Sequence, residues 1–586
     1  MFDYLWQTRS DGGISFRSRR NGASLSRSLR AAFVLGWSLC WLITPPRAQE
    51  QAAVRSSAAV LPSGAANSLA DALALYRKGD FDGAVQSYRQ ILIHEPKSPD
   101  AYAGLIRTYL KIKDVEQASQ AATKALEIAD SPPVRVALGE LYFREGRIGD
   151  AQTEFRKVVQ SGQPDARAYL GLARVYWSAS LNKSGWTLIE KAHELDPADS
   201  DIRRAWMMKL NAKDRIRFLE EYLAGENNDD EETRVGMRHY LDFLETRAQD
   251  PRGTCRLTSK STTTETPLVR LLEDPQYLRG YGLTVEVNGR KAKLMLDTGA
   301  PGIVINRSLA AKAHVTRLAD LDIGGIGDKG EKSGYRGLAD SLKVGGLEFQ
   351  NCPVEVLEKR SVVGEDGLIG GDVFSSFLLD IDFPNEKLRL KDLPRPPDDT
   401  SANLLKLHSE EGDDWDPGTP GHEATAEHSP VAGAPLRDFG PQDRYIAPEM
   451  QSYTRVFRFG HLLLVPTTIG DAPVKLFLLD SGAFSNHITP AAAREVTKVR
   501  NSDTIVHGLS GSVDKVYSAD KAVLQFGHLK QENQDLLTFD LTHISDRIGT
   551  EISGTLGFGV LRMLEVKIDY RDGLVDFEYD PKRWEQ

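Results

Sequence analysis

Two periodicities divide the chain. Between about residues 66 and 197, small and apolar residues recur at helical spacing, and the pattern itself repeats with a period near 34. Tyr76, Gly79, Phe81, Ala84 and Tyr88 open the first unit; Ala118 and Ala122, then Ala151 and Phe155, then Gly185 and Ile189 stand at the matching places later. Ala84, Ala118, Ala151 and Gly185 are 34, 33 and 34 residues apart. Small residues at that interval let antiparallel helices approach closely, and Pro96 and Pro197 close units because proline cannot continue a helix. Stacked helix pairs are predicted over residues 66–250, with residues 211–250 helical but outside the repeat, as a solvent-facing cap would be.

From about Glu265 the period changes to short β-rich runs bounded by glycine. Between Pro394 and Met450, Pro, Asp, Glu, His and Gly crowd together with few large apolar residues, the composition of a linker or surface excursion. β-rich sequence returns at Gln451. The segments 265–393 and 451–586 resemble one another. An apolar strand leads into Asp297, Thr298, Gly299 and Ala300 in the first and into Asp480, Ser481, Gly482 and Ala483 in the second, and Ile305 and Ile488 each lie eight residues past their aspartate. Alone, Asp-Ser/Thr-Gly is ordinary turn chemistry. Here Gly325 and Gly508 both fall 28 residues beyond the aspartate, in tips that include Gly327 and Gly511. The segments Gly367-Leu368-Ile369-Gly370 and Gly554-Thr555-Leu556-Gly557 follow, each ahead of a strand pair.

The helical units resemble the tetratricopeptide repeat, and the β-rich segments resemble the pepsin and retropepsin superfamily. That implies a multidomain chain: an all-α tetratricopeptide solenoid followed by two all-β acid-protease lobes. The resemblance implies that Asp297 and Asp480 form an intrachain catalytic dyad, that Thr298 and Ser481 bond across the lobes, and that Gly299 and Gly482 let backbone amides face the carboxylates. Gly325, Gly327, Gly508 and Gly511 would belong to flaps over an extended peptide. Two adjacent carboxylates share one proton, so one activates water while the other protonates the scissile carbonyl, without a metal or other cofactor. Ala300 and Ala483 are retropepsin-like, where pepsin-like enzymes carry a hydroxyl. The expected function is an aspartic endopeptidase whose repeats recruit protein. A binding scaffold with degenerate lobes is the alternative, and lobes that pair with a second chain are a third reading.

Residues 1–48 carry seven arginines against Asp3 and Asp11 and lead into an apolar run, residues 31–44. This reads as a secretory signal or an uncleaved anchor, and so as an exported, periplasmic or extracellular protein. Its removal takes the formal net charge of −10 to about −15, which argues against a nucleic-acid partner; membrane contact is expected only if the segment stays. With Cys40 in that run, Cys255 and Cys352 remain, and whether they pair is open. Gly325, Gly327 and Gly330 match a dinucleotide-binding pattern, but no helix-like segment follows. His422, Glu423, Glu427 and His428 sit in the acidic linker and read as solvated rather than as a metal site. His487 and His507 are candidates for the cleft wall, with an ordinary hydrogen-bonded role the more frequent one.

Overall fold

The computed structural model describes residues 2–8, 14–20, 68–128, 130–250, 252–274, 277–323, 332–358, 365–395, 443–507, 512–513 and 515–583. Phe2–Thr8 and Ile14–Arg20 pair as a hairpin, and Ile14–Arg17 runs parallel to Leu529–Glu532. The apolar run 31–44, the linker residues 396–442 and the glycines at 325, 327, 508 and 511 lie outside the described residues. Among those described, no helix is long and apolar enough to cross a membrane.

Four helix pairs form the repeats: Leu69–Arg77 with Phe81–His94, Pro99–Lys111 with Val115–Ile128, Pro132–Arg144 with Ile148–Gln160, and Ala166–Ser178 with Asn182–Leu195. The periodic small residues are where helices touch. Ala84, Ala118 and Ala151 are fully buried, and a Cβ on Gly185 would lie 2.3 Å from the Trp177 indole nitrogen. Tyr88 packs on Gly104 in the same way, and Phe155 on both Gly139 and Gly171. Each pair turns through a left-handed residue, at Gly79, Lys113, Gly146 and Ser180. Some charged side chains on these helices are bound within the array: Arg167 reaches Glu140 at 2.6 Å and Asp199 at 2.7 Å, and Lys111 reaches Asp201 at 3.3 Å.

The segment expected as a solvent-facing cap departs from that expectation. Its last helix, Glu231–Ala248, buries Tyr240, Phe243 and Leu244 with Leu318 and Ala319 of the first β lobe. The apolar stripe of this helix needed a partner, and the lobe provides it.

Each lobe is built on one sheet. In the first, Tyr277–Val287, Arg290–Asp297, Gly367–Gly370 and Ile303–Asn306 lie side by side, and in the second Leu462–Ile469, Lys475–Asp480, Gly554–Gly557 and His487–Ile488 do the same. A six-stranded sheet joins the lobes: Phe377–Asp382 from the first pairs antiparallel with Glu565–Asp569 from the second, Leu379 facing Ile568. One hydrophobic core runs through both lobes and this sheet. Cys255 and Cys352 form a disulfide that ties the segment after the helices to strand Leu347–Leu357. A second core combines Phe155, Leu172 and Ile189 of the repeats with Leu464, Leu476, Leu478 and Phe539 of the second lobe. Around it, Arg144 pairs with Asp546, and the Thr550 hydroxyl donates to the Phe143 carbonyl at 2.7 Å.

Candidate active site

Each aspartate ends a strand held on both sides. Arg290–Asp297 is antiparallel to Tyr277–Val287 and parallel to Gly367–Gly370, which puts Asp297 opposite Gly370; in the second lobe the same arrangement puts Asp480 opposite Gly557. Strands Gly367–Gly370 in the first lobe and Gly554–Gly557 in the second therefore pass beneath the aspartate loops. A Cβ on Gly370 would lie 2.4 Å from the Ala300 carbonyl oxygen, and one on Gly557 2.5 Å from that of Ser485, so both positions demand glycine.

The two loops interlock through four hydrogen bonds. The Thr298 amide donates to the Ser481 hydroxyl at 3.1 Å, and the Ser481 amide to the Thr298 hydroxyl at 3.0 Å. Each hydroxyl then donates across the lobes at 2.9 Å, Thr298 to the Leu479 carbonyl and Ser481 to that of Leu296. Only a side chain that donates and accepts at one atom closes this network, which is why Ser or Thr stands at both places. Both are buried, so each bond left unmade would strand a polar group away from water.

Above this network the carboxyl groups of Asp297 and Asp480 meet, close enough for one shared proton to join them. The Gly299 amide donates to Asp297 at 2.9 Å; those of Gly482 and Ala483 donate to Asp480, each at 2.9 Å. The glycines serve the opposite lobe as well. A Cβ on Gly299 would lie 2.6 Å from the Asp480 carboxyl carbon, and one on Gly482 2.3 Å from that of Asp297. Burial raises the Asp297 pKa, and donation from Gly299 works against the rise. Burial, then the charge of Asp297, pushes Asp480 well above its ordinary value. Both are raised, so the pair together holds one proton at pH values where isolated carboxyls have lost theirs.

The flap glycines named above lie outside the described residues, but the bases of both hairpins are present. Thr316–Ile323 pairs with Lys332–Val344 up to Ile323 opposite Lys332, and Val506–His507 pairs with Ser512–Val513. His487 is not a cleft-wall residue. It is buried, hydrogen-bonded to the Thr555 hydroxyl at 3.1 Å and stacked on Phe539 at 4.0 Å, and burial lowers its pKa to about 3. The side chain of His507 lies outside the described residues.

Sequence reasoning missed several neighbours of the site. Tyr277 of the first lobe stacks on Phe484 of the second at 5.5 Å, four residues past Asp480, and both rings are exposed. Buried Asp372 accepts the Gly302 amide at 3.1 Å and so braces the first aspartate loop. The hint for Asp372 was an acid directly after the buried Gly370-Gly371 turn. Nothing in the pattern marks Tyr277, whose partner is 207 residues away.

Fold and site define a two-lobed aspartyl protease-like unit behind a tetratricopeptide repeat array. Residues 283–373 match the Aspartyl protease family, and residues 75–133 and 136–197 match two Tetratricopeptide repeat families. Among curated proteins the chain is similar to the UBA domain-containing protein Mud1 of Schizosaccharomyces pombe, at 33% identity over 116 residues, which is 19% of this chain and 34% of that protein. It is 29% identical to DNA damage-inducible protein 1 of Chaetomium globosum over 148 residues, 24% of this chain and 31% of that one. The matches thus span about a third of the length of these relatives. Among solved structures, the aspartic proteinase from Irpex lacteus aligns with 54% of this chain and 97% of its own, at 11% identity and a TM-score of 0.33.

Proposed function

We propose that the protein is an aspartic endopeptidase in which Asp297 and Asp480 of one chain share a proton and a water. The observation that carries this reading is the paired carboxyl site: half-buried Asp297 and buried Asp480 side by side, fed by the amides of Gly299, Gly482 and Ala483, over a reciprocal Thr298–Ser481 network. The ionised member takes a proton from the water, and the protonated member donates to the scissile carbonyl as the tetrahedral centre forms. The roles of the two aspartates reverse as the amine leaves. The peptide lies extended between the aspartates and the hairpins, offering its backbone to strand-like hydrogen bonding.

Export accompanies this reading. It is supported by the arginine-rich, then apolar N-terminus and by the Cys255–Cys352 disulfide, a bond that persists in oxidising compartments. Recovery of the full-length chain from the cytoplasm alone would overturn it. Protein recruitment by the repeats rests on the repeat class; the surfaces seen in use contact the chain's own lobes.

The activity is tested on a peptide library with the purified full chain. Asp297→Asn and Asp480→Asn should each abolish cleavage, and mixing the two variants should restore none. Partial activity in either single variant would point to sites shared between chains. A wild type that cleaves nothing at any pH, yet binds peptide, would establish the scaffold reading instead.

A further inference from the structure

The last helix of the array, Glu231–Ala248, rests on the hairpin of the first lobe rather than on a repeat. The register of that hairpin shows how it is adapted. Arg336 faces Ala319 and Gly337 faces Arg317, so Leu318 is the extra residue of a β-bulge. A bulge breaks the alternation of a strand and re-aims a side chain, and here the consecutive residues Leu318 and Ala319 both pack on the helix. In the next strand Arg336 is buried with its guanidinium 4.7 Å from the centre of the Phe243 ring, and 3.6 Å from Glu355 one strand further on. Phe243 is itself 1% exposed, so this is an interior contact. Farther along the same outer strand, Leu321 and Ile323 pack with Met295, Ala300 and Leu368, beside and beneath Asp297. One strand thus has its near end in the helix contact and its far end in the apolar cluster that includes the aspartate loop.

We infer that helix Glu231–Ala248 is a fixed backing for this hairpin, and that Phe243 and Arg336 are positioning residues for substrate binding. The inference rests on the peptidase reading for its kinetic part only. The repeat array is then part of the peptidase unit, because its terminal helix sets the resting position of strands that bound the cleft. Arg336 over an aromatic face, desolvated and paired with Glu355, supplies direction as well as area. Removing the ring leaves a cavity and takes one wall from the guanidinium, while the aspartates, held by the Thr298–Ser481 network, stay in place.

The test uses the full chain with Phe243→Ala and Phe243→Leu. Amide hydrogen exchange is read in the resting protein, and KM and kcat are read on a cleaved peptide. Phe243→Ala should speed exchange about tenfold or more in Thr316–Ile323 and at the facing residues of Lys332–Val344, with Arg290–Asp297 and Lys475–Asp480 unchanged. KM should rise about 3- to 10-fold, with kcat and both limits of the pH profile within about twofold of wild type. Phe243→Leu should recover most of both effects. Exchange that is unaltered, or raised evenly over both lobes, overturns the inference, as does a fall in kcat without a rise in KM. If Phe243→Ala does not fold, Leu318→Ser at the rim of the same contact is read by the same criteria. A wild type without peptidase activity would sink the proposed function, yet the exchange measurement would still decide whether the helix backs the hairpin.

Discussion

Strands Arg290–Asp297 and Lys475–Asp480 carry their aspartates on matching frameworks, yet their outer faces differ. Four residues before the aspartate the first lobe has Lys293, exposed to water, and the second has Leu476, buried against the repeat array. A comparable divergence appears in the strand pairs that join the lobes. Asp382 and Asp569 both end an interlobe strand, and both accept a backbone amide from three residues on, Asn385 at 3.1 Å and Asp572 at 3.0 Å. Burial would raise Asp382, but hydrogen bonds from Asn385 and Arg389 outweigh it and hold its pKa below the ordinary value. Burial raises Asp569 to about 7, and the charge of Asp572 adds to the rise. The lobes are thus alike where they meet over the carboxylates and different wherever one of them has another neighbour. The Thr298–Ser481 network keeps the symmetry, and the neighbours of each lobe, the array at Leu476 and Asp572 beside Asp569, impose the asymmetry.

The largest expected effect breaks the symmetric part. Asp297→Asn and Asp480→Asn should each lower kcat by about a thousandfold or more, since neither acid alone performs both proton transfers. Their stabilities should report the raised pair as well. A carboxyl whose folded pKa is raised contributes stability below its unfolded value and loses it as pH climbs through the folded value. Both aspartates are raised, so each asparagine variant should gain stability over wild type at pH 7 relative to pH 4, read by thermal unfolding. No gain in either variant would mean that the pair is not raised in the folded protein.

Cutting the link between the lobes comes next. Ser481→Ala removes the acceptor of the Thr298 amide and the donor to Leu296, leaving two buried groups unmatched. A loss of about 3 kcal/mol in denaturant unfolding is expected. Thr298→Ala should cost a similar amount, because the network is reciprocal.

Exchanging the outer faces sharpens the asymmetric part. Leu476→Lys places the character of the first lobe under the array and should cost about 3 kcal/mol, whereas Lys293→Leu should change stability by no more than about 0.5 kcal/mol. If both were mild, the array would not be packed on the second lobe in solution.

The smallest effect concerns pH. Asp572→Asn gives the second lobe the asparagine of the first and should bring the Asp569 pKa down from about 7. In the wild type, the share of stability due to Asp569 is lost as pH rises from the ordinary carboxylate range through about 7. In the variant that loss should shrink, which unfolding free energies between pH 5 and 8 would register.

The paired lobes and the helical repeats were legible in the sequence because each rests on local rules: period, small residues at helix contacts, and glycine where a backbone passes close. Asp297, Asp480, their Thr and Ser neighbours and the glycine strands were all visible as matched spacings. The role of residues 211–250 was not, since an apolar stripe on a helix announces a partner without naming it, and the partner of Phe243 is a bulged strand some 75 residues later. The stack of Tyr277 on Phe484, the brace from Asp372 and the burial of His487 behind Thr555 likewise came from tertiary packing. The sequence by itself determined which segments become helices and lobes and which residues stand at their ends, because those follow from neighbours along the chain. Only the tertiary structure decided which face of each lobe meets water and what the last helix holds, because desolvation and contact depend on residues that the chain brings together from far apart.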